Sequence, residues 1–211
     1  TAAREFIPAG EQHDRTAKLT DFILEQAIAA AAGVNRRQAG FGIAVNLSAR
    51  LLSDKGLVLR LRAMLARHKL PPEMLTLELT ETAELESSGP ALDMLNALRD
   101  LGVTIAIDDY GTGLSTLEYL KKIPASEIKI DQSFVKTMLD NRSDLVMVQS
   151  TIALAHSLGR KVVAEGVEHQ GVLDALIDMG WDVAQGYVIG RPMSIDSLTR
   201  RMSTERRSSV A

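Results

Sequence analysis

The chain has 211 residues, 45% of them apolar, and its 24 basic and 27 acidic side chains leave a formal charge of −3. That length suits one large domain with a sizeable core, and a weakly acidic chain with no basic stripe counts against a duplex nucleic-acid partner. The absence of cysteine excludes disulfides, thiol catalysis and zinc–thiolate sites and suits a reducing compartment, while no apolar run is long enough to span a bilayer.

In chain order, "FGIAVNL", "MLTLELT", "GVTIAIDD", "SEIKID", "KVVAEGV" and "VAQGYV" read as six β-strands. Amphipathic segments separate them. Leu57, Leu61 and Met64 form one apolar stripe, with "KLPPEM" as the helix stop beyond it, and Ala91, Leu95 and Leu98 form another ahead of Gly102. Ser115 and Glu118 make a capping-box pattern, and Ser143 precedes a longer helix carrying Leu145, Val148, Ile152 and Ala155 and stopping at Gly159. A last helix is expected from Ser194 to about Met202. The expected boundaries are a domain over 1–202 and a C-terminal tail over 203–211, and Arg200, Arg201, Arg206 and Arg207 of the terminal helix and tail read as a solvated end.

Strands that alternate with helices imply a parallel sheet, either doubly wound or closed as a barrel. Parity within the strands decides between them. Successive side chains point to opposite faces, so Val103, Ile105 and Ile107 share one face while Thr104, Ala106 and Asp108 share the other. The same division holds for Ile43, Val45 and Leu47 against Ala44, Asn46 and Ser48, for Leu77 and Leu79 against Thr76, Glu78 and Thr80, and for Ile128 and Ile130 against Lys129 and Asp131. An open sheet covered on both faces would be apolar throughout, whereas a barrel presents one oily parity to its helices and a polar one to its mouth. The expected fold is therefore an α/β (β/α)8 barrel, with Asn46, Glu78, Asp108, Lys129, Glu165 and Gln185 converging from six strands on one pocket.

Asp108 and Asp109 are adjacent carboxylates that repel unless water or a cation separates them. With Asn46 and Glu78 they make an all-oxygen donor set that suits Mg²⁺ or Mn²⁺ and disfavours zinc, and a carboxylate shared between ions suits a two-metal site flanking a phosphate. Lys129 can hold the attacking water or a phosphate oxygen, Glu165 is the candidate general base, and Gln185 and Tyr187 can face the ligand. Each residue also has a plainer use, since strand-end acids cap helices and Lys129 can neutralise Asp131. The "GTG" of Gly111, Thr112 and Gly113 reads as a turn with a gating role, because no Walker lysine follows it. His13, His68, His156 and His169 lack ligand-like spacing and read as surface or helix-packing residues.

Taken together, "FIP" at 6–8, "VNLSAR" at 45–50, "ELTE" at 78–81, "DDYGTGLSTL" at 108–117, "KID" at 129–131, "AEGVE" at 164–168 and "QGY" at 185–187 resemble the EAL-domain family of cyclic-di-GMP phosphodiesterases. The resemblance implies a modified TIM barrel that hydrolyses cyclic di-GMP to linear pGpG with Mg²⁺ or Mn²⁺, two ions per site. It makes Asn46, Glu78, Asp108 and Asp109 metal residues, Lys129 and Glu165 catalytic, and Glu168, Gln185, Tyr187 and Asp131 substrate-binding. Glu81 and the loop through Gly111, Thr112 and Gly113 would support the metal site and couple a homodimer. Tyr110, Leu114 and Thr116 stand where the family has Phe, Tyr and Ser.

The Glu-Ala-Leu motif itself does not occur in this chain. A strand carrying one more metal-binding glutamate is therefore expected upstream of Thr1, in keeping with an N-terminally incomplete barrel. The alternatives are a noncatalytic cyclic-di-GMP receptor and an EAL-like interaction module. Glu165 and Lys129 favour catalysis. A sensory or cyclase domain elsewhere in the same protein is compatible with this reading, as is a cytoplasmic location with membrane attachment through other segments.

Overall fold

The computed structural model describes residues 13–80, 89–113 and 117–208. Phe6 to Pro8, Glu81, Leu114, Ser115 and Thr116 lie outside the described residues. Helix α1 (His13–Asn35) leads into β1 (Ile43–Asn46), followed by α2 (Leu57–His68), β2 (Leu75–Thr80), α3 (Gly89–Leu101), β3 (Thr104–Tyr110), α4 (Leu117–Lys122) and β4 (Glu127–Ile130). Two helices in succession, α5 (Gln132–Thr137) and α6 (Arg142–Ser157), precede β5 (Lys161–Ala164), α7 (Gln170–Asp178), β6 (Val183–Ala184) and α8 (Ile195–Ser208).

All six strands are parallel and lie in the sheet in chain order, β1-β2-β3-β4-β5-β6. A doubly wound sheet reverses its order at a switch point; this one never does, so it is a barrel wall, a TIM-like half-barrel. Strand parity is as the sequence predicts. Leu75, Leu77, Leu79, Ile105, Ile107, Ile128, Ile130 and Val162 are buried on the outer face, where they meet Leu24 and Ile28 of α1, Leu57 and Leu61 of α2, Leu95 and Leu98 of α3, and Val148 and Ile152 of α6. The hydrophobic effect thus fixes one face of β2 to β5, and the polar parity is left to the concave side. No helix among the described residues is long and apolar enough to cross a membrane.

Three local expectations need correcting. The cap of α6 is Asn141, whose side chain accepts from the Ser143 amide at 2.9 Å, so Ser143 is in the first turn. Glu165 and Gln185 stand one residue beyond the ends of β5 and β6, which places them in the mouth's loops. The last helix runs to Ser208, past the expected end near Met202.

Candidate active site

Side chains at the carboxyl ends of β2, β3 and β4 meet because the register places Glu78 opposite Ala106, one step below Asp108, and Ile107 opposite Ile128, next to Lys129. Lys129 is 4% exposed, Glu78 7% and Asp108 8%, values rare for charges without partners. The lysine has three. Its Nζ lies 2.7 Å from Glu78 Oε1, 2.7 Å from Asp108 Oδ1 and 2.6 Å from Glu165 Oε1. Those contacts match the three N–H donors of an ammonium group. For Lys129 to meet a phosphate oxygen or a water, one carboxylate must release it.

Burial pushes the Lys129 ammonium toward neutrality, but the hydrogen bonds it donates to Asp108, Glu165 and Glu78 outweigh it and raise its pKa. Lys129 is therefore a fixed positive charge and no proton shuttle. Glu165 is displaced upward, chiefly by burial, with Lys129 opposing and Asp108 and Glu78 adding to the rise. A carboxyl raised in this way is a better proton acceptor when ionised.

Asp109 joins the cluster through its backbone. The pairing of β3 with β4 slips between Ile107 and Tyr110, and Asp109 takes φ +54°, in the left-handed region, which Asp tolerates better than most residues. Thr112 closes the turn, donating to the Asp109 carbonyl from its amide at 3.3 Å and from its hydroxyl at 2.9 Å. The slip turns Asp109 to the mouth despite its opposite strand parity. One oxygen from each of Asp108, Asp109 and Glu165 lies within 4.8 Å of the others. Burial, then the charges of Asp108 and Asp131, raise the Asp109 pKa. Oxygen donors with surplus negative charge are the chemistry that a hard divalent cation neutralises, so the residues fit Mg²⁺ or Mn²⁺.

The other predicted residues have specific surroundings. Asn46 is opposite Glu78 in register and exposed on the concave side. Asp131 caps α5, accepting from the Ser133 amide at 2.9 Å and from its hydroxyl. It does not pair with Lys129. Glu168 is bound by Lys136 at 2.9 Å. Gln185 is tied beside the Glu165 loop through its backbone, donating to Ala164 O at 2.8 Å and accepting from Val167 N at 3.1 Å. Tyr187 is exposed, with the Arg191 guanidinium 4.9 Å from its ring centroid. His68 and His156 pair with Glu25 and Asp182 at 2.6 and 2.8 Å, away from the cluster. Lys136 was not anticipated; the signal available was its position in the last turn of the helix that Asp131 caps.

Across the chain, the EAL domain model matches residues 1–192. The chain belongs to the EAL-domain family. It is 44% identical over 196 residues to an uncharacterised protein of Azorhizobium caulinodans, covering 90% of this chain and 27% of that one. It is 37% identical over 195 residues to MucR of Pseudomonas aeruginosa, a bifunctional diguanylate cyclase/cyclic di-GMP phosphodiesterase, covering 92% of this chain and 28% of MucR. The solved MucR phosphodiesterase in complex with c-di-GMP superposes with a TM-score of 0.85, covering 92% of this chain and 79% of that one. The EAL domain of Mycobacterium smegmatis DcpA, 30% identical, gives 0.84 over 90% and 86% of the two chains. This EAL domain thus spans little more than a quarter of the first two curated relatives.

Proposed function

We propose that this EAL domain is a divalent-metal-dependent phosphodiesterase that hydrolyses cyclic di-GMP to linear pGpG. The observation that carries the reading is the joining of Glu78, Asp108 and Glu165 by one buried lysine, with Asp109 turned into the same mouth. A structural ion pair needs no such excess of acid around a cation. Kinship with MucR, named a phosphodiesterase and solved with c-di-GMP, supports the substrate. Sensory or cyclase domains and a homodimer belong to the same proposal.

Asn46, Glu78, Asp108 and Asp109 would hold Mg²⁺ or Mn²⁺. Bound there, the ions would neutralise the phosphate and stabilise charge on the departing oxygen. Glu165 accepts a proton from the attacking water as the new P–O bond forms; the bond from phosphorus to the ribose 3′ oxygen breaks, and that oxygen takes a proton from solvent water, giving pGpG. Lys129 keeps Glu165 ionised and aimed, and its charge attracts the phosphate once a carboxylate lets it go. Glu168, Gln185, Tyr187 and Asp131 are proposed to contact the nucleotide.

The test uses the full-length protein: cyclic di-GMP hydrolysis followed by chromatography of products, with Mn²⁺, after exhaustive chelation, and after Mn²⁺ is returned. The proposal expects pGpG only when metal is present. Turnover that survives chelation would refute the metal's part, and tight binding with no product under any condition would make the domain a receptor.

A further inference from the structure

The two acidic loops of the mouth rest on the same short helix. On one side, Gly111 (φ +104°) follows the Asp109 turn so closely over α5 and the neighbouring α6 that a Cβ there would come within 2.8 Å of Phe134 Cε2 of α5 and 2.6 Å of Met147 Cε of α6. On the other, Gly166 (φ +68°), next to Glu165, leaves room for only hydrogen above α5: its Cβ would meet Gln132 Cβ at 2.6 Å and Lys136 Cε at 3.1 Å. Lys136 fastens this second loop through its 2.9 Å ion pair with Glu168. The helix is itself anchored, by the buried Val135 and the adjoining Met138 and by the Thr137 hydroxyl, which donates to Asp144 of α6 at 2.5 Å.

Such support has a physical purpose. The three bonds of Lys129 go to Glu78, Asp108 and Glu165, so Asp109 is held in the cluster by its turn and by what that turn rests on. One oxygen from each of Asp109 and Glu165 lies within 4.8 Å of the other, and like charges at that range push the two loops apart. From the far side the Glu165 loop is closed in by the segment that follows β6: a Cβ on Gly186 would fall 2.2 Å from the Val167 carbonyl oxygen, and Val188 donates to that carbonyl at 3.1 Å.

Resting on the phosphodiesterase reading, we infer that α5 is a strut that fixes the separation of Asp109 and Glu165, with Lys136 and Phe134 as its positioning residues. Neither touches the reacting atoms. The strut preorganises the cation seat, so that loading it requires no loop closure.

The test compares Lys136→Met, Lys136→Arg and Phe134→Leu in the full-length protein by Mn²⁺ titration calorimetry, by kcat and KM for cyclic di-GMP, and by thermal unfolding. Lys136→Met and Phe134→Leu should each weaken Mn²⁺ binding and lower kcat by about tenfold, the range for residues that orient metal ligands; KM should change little in Phe134→Leu, whereas Lys136→Met also frees Glu168 and should raise it. For Lys136→Met the unfolding midpoint should barely move, since a partly exposed ion pair contributes little to stability, and Lys136→Arg should restore both values. Unchanged Mn²⁺ affinity in both Lys136→Met and Phe134→Leu would overturn the strut. So would losses that track a lowered unfolding midpoint and persist in Lys136→Arg, or a wild-type protein that binds no Mn²⁺. Should the wild type bind Mn²⁺ but fail to cleave cyclic di-GMP, the phosphodiesterase reading falls, and the Mn²⁺ affinities alone decide the strut.

Discussion

Lys129 and Arg160 are both buried cations, 4% and 9% exposed, in opposite surroundings. Lys129 faces the carboxylates of Glu78, Asp108 and Glu165, which raise its pKa. The Arg160 guanidinium, where the chain enters β5, donates to carbonyls at the end of α4, to Ile123 O at 2.7 Å and to Leu120 O. Burial lowers its pKa, and its Nη1 has no hydrogen-bond partner among the described residues. Arg160 thus serves the fold, satisfying helix carbonyls that would otherwise be unmade. Lys129 sits amid more negative charge than it can cancel, an arrangement that makes sense when further positive charge is expected.

The comparison breaks first at the base. Glu165→Gln keeps the shape beside Lys129 but loses the proton-accepting charge, so single-turnover hydrolysis should fall by at least about 10²–10⁴-fold while calorimetry still detects cyclic di-GMP binding. Near-native hydrolysis would remove Glu165 from that role. Lys129→Met should follow, abolishing turnover and destabilising the cation-free protein by about 3–5 kcal/mol, the cost of stranding buried charges. Because the carboxylates would then lack any cation, added Mn²⁺ should raise the unfolding midpoint of this variant more than that of the wild type. Arg160→Met sharpens the contrast from the other side: loss of hydrogen bonds from a charged donor should cost about 1.5–3 kcal/mol in denaturant unfolding and leave Mn²⁺ affinity unchanged.

The smallest effect is in pH. Asp109 and Glu165 have native pKa values raised by burial, and only ionised carboxylates bind metal. Mn²⁺ affinity should therefore weaken on acidification before the ordinary carboxylate range near ~4 is reached. Stability without metal has the opposite sign. The native state holds these protons more tightly than the unfolded chain, so their contribution is fully present below the unfolded pKa and is lost as pH rises through the raised native values. Titration calorimetry and unfolding at a series of pH values would check the two trends.

Much of this site was legible because parity is a local rule. Glu78, Asp108 and Lys129 announce themselves as polar residues on the inner face of otherwise oily strands, and the all-parallel order followed from the alternation of strands and helices. What pairwise distance decides was not legible. Nothing near Lys129 in the chain says that it reaches Glu78 and Glu165, residues distant in sequence, rather than Asp131, its neighbour. Arg160, placed between Gly159 and Lys161, carries no periodic signal, and its carbonyl partners belong to another helix. Phe134 and Lys136 look like one turn of a surface helix until two glycine-bearing loops are folded over them.

The central claim, that the acidic mouth is a seat for a divalent cation and more than a buried salt bridge, is tested most directly by titrating Mn²⁺ into the full-length wild type and Asp108→Asn by calorimetry. The account predicts saturable binding to the wild type that is lost or greatly weakened in Asp108→Asn. Equal binding by the two proteins, or none by the wild type, would contradict it.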